Sequence, residues 1–393
     1  MRHVVSVLLF LCVLKALNFW MLWGVSRLSL YFCTVVALII ARAFGKSDCS
    51  YRLTGLRLVA FFFFSVFGIY LNTVVMSDNA TLFSYTTTIL WLTILAFVLC
   101  FSDAYKEFLV YRYALSFSCL LGTSLIVFFV SLLVPLPYVP TPYYNSFGNM
   151  PYGIFKNYFF VIQPTRVSSD LAGLPRFCGP FLEPGQLATF LAFLFAAIGY
   201  KYRSRLHYFN CSALLFTFSL AGYLLSFIGL CVYRVRKIYH LIVILGLGSI
   251  IWFAAANYNY GDNYLNHYIF ERLEYDKDTG IAGNNRSSTI TNNLYDERVK
   301  GHLDAFMFGV PDVRREAIGG SGIKTFVVRY GVFPIILLLI SYLFLVASAR
   351  NKRAILSYVV IVIFSLLQRT VVDSFYVLFL AFLITRYSEK RYV

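Results

Sequence analysis

Apolar residues fall into twelve long runs along this chain, at about 3–23, 28–44, 56–76, 82–101, 108–136, 185–200, 207–219, 221–233, 240–256, 326–349, 354–368 and 373–387. Roughly 20 consecutive apolar residues suffice for a helix to cross a bilayer. The pattern therefore predicts an all-α, polytopic transmembrane helical bundle with about 12 spans. The runs are too continuously apolar for the alternating strands of a membrane barrel. Two stretches, about 137–184 and 257–325, break the pattern and read as long loops. The second is too polar for hydrocarbon, so it lies outside the bilayer or lines a wet cavity. The chain reads as a single integral membrane domain, 1–393, carrying these two loops.

Composition agrees, with 59% hydrophobic and 13% charged residues, a balance no soluble globular protein of this size hides. The net charge of +16 raises the idea of nucleic acid, but the bases sit in short clusters between apolar runs. Examples are Lys201, Arg203 and Arg205, then Arg234, Arg236 and Lys237, then Arg350, Lys352 and Arg353. That is the mark of cytoplasmic loops, and no nucleic-acid partner follows. All clusters face the cytoplasm together only if an even number of crossings separates each pair. Both termini are then cytoplasmic and both long loops face outward. The same rule requires a hairpin of two short helices between Arg205 and Arg234, broken near Ser219-Leu220-Ala221-Gly222. A second break falls at Gln368-Arg369-Thr370. The start, Met1-Arg2-His3 and then apolar, resembles a signal peptide without a cleavage site. It predicts a retained first helix with Lys15 inside it, marking a functional site, snorkelling to the surface or showing that the span boundary is slipped. The eight cysteines are scattered with no C-x-x-C pair, so neither a disulfide framework nor a metal site is expected.

The loops hold the candidate chemistry. The second carries ten of the 18 acids and eight bases, Arg272, Arg286 and Arg298 among them. With Arg176 in the first loop, these arginines lie on the side that positive charge normally avoids. Arginine grips phosphate through a rigid, permanently charged fork, although pairing with the loop acids is the competing use. The first loop opens with Pro135, Pro137, Pro140 and Pro142, which favour an extended lead-in. It ends at Arg176-Phe-Cys-Gly179-Pro-Phe-Leu-Glu183-Pro184. Pro184 suits the first helical position and Glu183 the cap, so this helix would point its anion-attracting N-terminus outward. Glu183 is also the best-placed general base, though the helix end that favours its ionised form weakens it. In the second loop, Leu265, Tyr268, Ile269, Arg272 and Leu273 predict a short surface helix. Gly280 to Asn285 reads as a turn. A further helix over about 291–306 would put His302 on the face of Arg298, where it activates a hydroxyl, binds phosphate or is merely solvated. Tyrosines crowd the first loop at 138, 143, 144, 152 and 158, as sugar-stacking faces or as an interfacial belt.

From 174 to 342 the chain resembles the O-antigen polymerase/ligase superfamily of bacterial inner membranes, most closely its Wzy-type polymerases. The parts that carry the resemblance are Arg176-x-x-Gly179-x-x-x-Glu183-Pro184 before a helix and Thr217-x-Ser219-x-x-Gly222 at the hairpin. A large outer loop with Arg272 and Arg286 follows, then a glycine-bearing exit at Gly309 and Gly319–Gly322 into a helix with Tyr330-Gly331. Where relatives carry arginine after the hairpin serine this chain has Leu220, and their Gly-x-Gly reads Gly309-Val310-Pro311. The resemblance implies a membrane-embedded glycosyltransferase of the C type that needs neither metal nor cofactor. The expected substrate is an undecaprenyl-pyrophosphate-linked glycan, joined into O-antigen or a related polysaccharide. Arg176 and Arg286 would hold pyrophosphate, Arg272 and Arg298 would assist, and Glu183 or His302 would serve as base. The implied partners are that lipid-linked glycan, the bilayer and, as a further candidate, a chain-length regulator protein. An O-antigen ligase acting on lipid A core shares fold and donor and stands as the alternative. A flippase or permease fits less well, because this chain keeps most ionisable residues in loops rather than mid-membrane. A membrane scaffold, whose outer loops would tolerate substitution broadly, is the remaining class.

Overall fold

A computed structural model describes residues 2–44, 55–75, 82–144, 151–164, 175–201, 204–234, 246, 249–250, 253–254, 257–258, 263, 275–276, 280–281, 289–310, 322–349, 351–368 and 374–384. The helices are α1 (Arg2–Ala16), α2 (Arg27–Phe44), α3 (Gly55–Val75), α4 (Leu82–Cys100), α5 (Asp103–Leu133), α6 (Pro184–Ala197), α7 (Tyr208–Phe216) and α8 (Leu220–Arg234). Later come α9 (Thr289–Leu294), α10 (Leu303–Phe308), α11 (Ile323–Tyr330), α12 (Phe333–Ser348), α13 (Lys352–Gln368) and α14 (Phe375–Ile384). Among the described residues, α2, α3, α4 and α5 are long and apolar enough to cross a membrane, and the bent pair α11–α12 makes a fifth if counted as one span. Most predicted runs coincide with a helix. The described residues thus give four or five spans by length, against the twelve runs of the sequence.

The first run departs from expectation. Its helix α1 stops at Ala16, so its 15 residues reach only about 22 Å at 1.5 Å per residue, short of a roughly 30 Å core. Asn18 takes a left-handed backbone, φ 55°, which ends the helix. Lys15 therefore stands at the end of the helix, as the slipped-boundary reading expects. Its Nζ donates to the carbonyls of Leu22 at 2.6 Å and Trp23 at 3.3 Å, in the turn that follows.

The chain forms two compact units, residues 1–13, 26–110 and 284–393 in one, and residues 14–25 and 111–283 in the other. In the first unit α3 packs along α12, and α2 and α14 pack on α4. Phe64, fully buried, meets Tyr342 and Phe382 edge-on at 5.2 Å each. The run at 326–349 breaks between α11 and α12 with a 107° bend. Gly331 makes the elbow at φ 72°, ψ −173°, a region open only to glycine, and Pro334 opens α12. Helix α10 ends on a similar residue, Gly309, at φ 86°, ψ 174°. The two ends exchange bonds reciprocally: Val310 N donates to Val328 O at 2.8 Å, and Val332 N to Phe306 O at 2.9 Å. The Tyr70 hydroxyl sits against both ends, 3.2 Å from Phe308 O and 3.1 Å from Tyr330 O.

The second unit holds the first loop, whose prolines lead into extended chain as expected, with Pro140 and Pro142 inside a paired strand. Strands β1 (Val139–Tyr144), β2 (Pro151–Asn157) and β3 (Ile162–Pro164) make an antiparallel sheet in the order β1-β2-β3. Thr141 lies opposite Phe155 and Pro142 opposite Ile154. The inner face packs Phe155, Ile162 and Cys178 against Trp20, Trp23, Tyr143 and Leu182. Opposite these, β1 keeps its prolines on the edge of the sheet, where a missing N–H is tolerated. In the second loop, Tyr275–Asp276 pairs with Gly280–Ile281 as a small hairpin, so Gly280 closes strands rather than opening a plain turn. The surface helix expected over 265–273 lies outside the described residues. A buried polar cluster joins α5 to the start of α7: Asn210 Nδ2 donates to Ser118 Oγ at 2.9 Å, and Ser118 Oγ lies 3.1 Å from His207 Nδ1. Such bonds hold helices together where water is absent.

Candidate functional site

The site begins where the first loop enters α6. Glu183 is the N-cap, extended at φ −136° and ψ 134°, and Pro184 is the first helical residue, as the sequence predicts. The cap carboxylate makes no capping hydrogen bond, so it does not close over the helix end. Upstream, the segment is pinned on both sides. Ile162 N donates to Gly179 O at 2.9 Å, and Cys178 Sγ donates to Ile162 O at 2.7 Å, tying it to β3. Phe177 N donates to Phe216 O at 2.9 Å, tying it to α7. Gly179 turns at φ 57° with Leu121 and Phe177 pressed against the place of a side chain.

Arg176 therefore has a fixed root. Its Nε donates to Thr217 O at 2.9 Å, at the break between α7 and α8. That break has a left-handed residue, Phe218 at φ 44°. Ser219 caps α8, accepting from Gly222 N at 3.4 Å. The break read from the charge pattern is thus present as a turn between two short helices, and that turn is what grips the arginine. Gly222 lets α8 close on α6: a Cβ there would stand 2.3 Å from Ala188 Cβ. Tyr223, whose hydroxyl donates to Leu215 O, lies within electrostatic reach of Arg176. The structure thus unites two motifs that lie about forty residues apart in sequence.

Sequence reasoning missed what is fastened to the start of α6. Gln186, in the first turn of α6, donates to Ala16 O at 3.2 Å and accepts from Asn18 Nδ2 at 3.3 Å. The turn after α1, with Lys15 and Asn18, is thereby fastened beside the start of α6. Lys15, Arg176, Glu183, Gln186 and Tyr223 are all half-buried, an environment that strengthens charge interactions without sealing them from a ligand. The signal was present in the sequence as a lysine and an asparagine inside one apolar run. Cys178 is no nucleophile: burial pushes its thiol up to about 12, against its own backbone hydrogen bond and the Arg176 charge, so the thiolate is scarce.

The remaining arginines divide. Arg272 and Arg286 lie outside the described residues, so no hollow shared with Arg176 is described. Arg298 and His302 are described, are exposed, and belong to the other unit. The continuous helix expected over 291–306 does not form. It runs as α9, a π-helical turn at Tyr295–Val299, a break at Gly301 with φ 90°, and then α10 with His302 as N-cap. The left-handed glycine interrupts the helical register that would have placed His302 on the face of Arg298. Among the described residues no group of His, Cys, Asp and Glu can hold a metal ion. No family model, no curated protein and no solved structure matches this chain.

Proposed function

We propose that this chain is a membrane-embedded glycosyltransferase that polymerises undecaprenyl-pyrophosphate-linked oligosaccharide repeat units into O-antigen or a related surface polysaccharide. Twelve crossings, outward-facing loops and a bacterial inner membrane belong to the same reading. The observation that carries it is Arg176, half-buried and rooted on Thr217 O at the break between α7 and α8, in the segment that leads into the N-terminus of α6. A diphosphate docking there meets a guanidinium and a helix N-terminus together. Arg286 and Arg272 are the further cations of this reading, with Arg298 assisting.

The acceptor sugar's hydroxyl attacks the anomeric carbon of the donor. The new glycosidic C–O bond forms as the bond from that carbon to the pyrophosphate oxygen breaks. The hydroxyl proton passes to a base, the Glu183 carboxylate as first choice and the His302 imidazole as the other, and lipid pyrophosphate departs. Negative charge grows on the leaving group, where preorganised cations in a low-dielectric cleft lower the barrier most.

The test is the purified protein in lipid vesicles with lipid-linked repeat units, with and without lipid A core. Growth of long chains without the core supports polymerisation. Transfer that occurs only with the core assigns the ligase activity instead. No new glycosidic bond in either arm refutes enzymatic transfer, and net movement of intact lipid-linked units across the vesicle membrane would assign a transporter.

A further inference from the structure

The three-stranded sheet of the second unit has an outer face that is exposed along β1 and β2, while at β3 Gln163, opposite Lys156, is buried and donates to Ser131 Oγ of α5 at 3.4 Å. Its exposed part presents Pro140, Pro142, Ile154 and Lys156, because side chains opposite one another across β1 and β2 share a face and the pairing sets Pro140 against Lys156 and Pro142 against Ile154; the exposed Tyr138 and Tyr144 flank it, Tyr144 just past a register shift. Tyr138 is 45% exposed, Tyr144 56% and Ile154 47%. The one charge on this face is folded back: Lys156 Nζ lies 5.3 Å from the centre of the Tyr138 ring.

The chain leading to the sheet shows what lies against it. Helix α5 has 31 residues, about 46 Å at 1.5 Å per residue, longer than a roughly 30 Å hydrocarbon core. Its exposed stripe continues to its end through Ile126, Val130 and Leu133, and then Val134. β1 starts five residues beyond, at Val139. No charged side chain occurs between Arg112 and Lys156. The exposed apolar surface therefore runs without a polar break from a span-length helix onto the sheet. An overlong helix places its end among the lipid headgroups, the zone where tyrosine and a snorkelling lysine are favoured.

We infer that the exposed β1-β2 part of this face rests on the membrane interface, with phospholipid as its occupant and the Lys156 amine, held over the Tyr138 ring, at the level of the lipid phosphates. Through β3 the sheet is bonded to the Cys178-Gly179 segment. Resting on the interface, it fixes the depth at which Arg176 stands relative to the headgroups. This inference concerns the surface alone and does not need the proposed activity.

The test uses the full chain in vesicles of phosphatidylethanolamine and phosphatidylglycerol. Benzoylphenylalanine replaces Tyr144, Ile154 or, as the membrane-embedded reference, Ile126, and adducts are weighed after illumination. The expected result is a phospholipid adduct at 144 and 154 with yields comparable to that at 126. Lys156→Glu is expected to lower the yield at both sheet positions and leave that at 126 unchanged. An adduct to protein or to a saccharide-bearing lipid at 144 and 154 overturns the inference. So does the absence of any adduct there while position 126 labels.

Discussion

Gly222→Ala tests whether the packing of α8 on α6 sets the position of Arg176. An added Cβ would stand 2.3 Å from Ala188 Cβ and 3.1 Å from two backbone atoms of the same residue. Carbon atoms rest in contact at roughly 3.5–4.0 Å, so the helices must part by about 1.2–1.7 Å. Ala188 has no torsion that could relieve this, and it is fully buried. Overpacking of this kind costs about 1–3 kcal/mol. The turn that opens α8 carries Thr217 O, the anchor of Arg176, so the strain reaches the arginine. Misplacing a positioning group by about 1 Å lowers turnover on the order of 100-fold. Chain growth from lipid-linked repeat units and thermal unfolding in detergent would be measured on the same preparation. The swap Ala188→Gly with Gly222→Ala removes the 2.3 Å collision and leaves only the 3.1 Å contacts, which ask for a few tenths of an ångström. It should recover most of both losses. Turnover near the parent level in Gly222→Ala, despite lowered stability, would show that helix separation does not reach the arginine. A swap no better than the single change would show that Ala188 is not the obstacle.

Gly331→Ala should destabilise more severely, since it combines about 1–3 kcal/mol of backbone strain with a Cβ placed 2.1 Å from Met307 O. Loss of the monodisperse peak on size-exclusion chromatography is the expected reading. Tyr70→Phe removes the one hydroxyl that serves Phe308 O and Tyr330 O and should lower stability by about 1–3 kcal/mol, read from the unfolding midpoint. A midpoint equal to the parent's would mean water replaces the hydroxyl. The Cys178 thiol, raised to about 12 by burial, stays protonated through neutral and mildly basic pH. It should resist maleimide at pH 8 while the exposed Cys33 and Cys119 react in detergent. Prompt modification of Cys178 in the folded protein would contradict its burial.

Helices were legible because membrane helices announce themselves by continuous apolarity, and their boundaries fell near the expected residues at α2, α3 and α4. The break at Thr217–Ser219 was legible from the charge pattern, which called for an interruption between Arg205 and Arg234 near Ser219–Gly222. What hydropathy could not show were the interruptions that depend on one backbone angle. Asn18 and Gly331 end helices inside runs that read as single spans, and Gly301 splits the helix that would have aligned His302 with Arg298. The sheet escaped notice for a different reason. Its strands are short and rich in proline, and their partners become visible only when Trp20 and Trp23 arrive from a segment over a hundred residues upstream. The same segment brings Lys15 and Asn18 to α6, a contact that no local pattern encodes.

Arginine 176 invites a structural reading as strong as the functional one. Helix ends in apolar surroundings must have their carbonyls satisfied from within, and this chain repeatedly does so with long donors. Lys15 serves Leu22 O and Trp23 O, Lys106 serves Leu99 O at 2.9 Å, and Tyr70 serves two ends at once. Arg176 on Thr217 O fits that series. Arg176→Gln separates the two roles by geometry. The glutamine amide nitrogen occupies the same place along its side chain as the arginine Nε, so it can still donate to Thr217 O. What it lacks is the charge and the two terminal nitrogens that would grip a pyrophosphate. A capping role predicts that the glutamine variant keeps most of its stability and its turnover. Phosphate recognition predicts the stability kept and turnover reduced on the order of 100-fold or more, the scale of losing one stabilising donor to a developing charge. Arg176→Ala, which removes cap and charge together, should lower both. Equal turnover in the glutamine variant and the parent would leave Arg176 a helix cap and remove it from the chemistry.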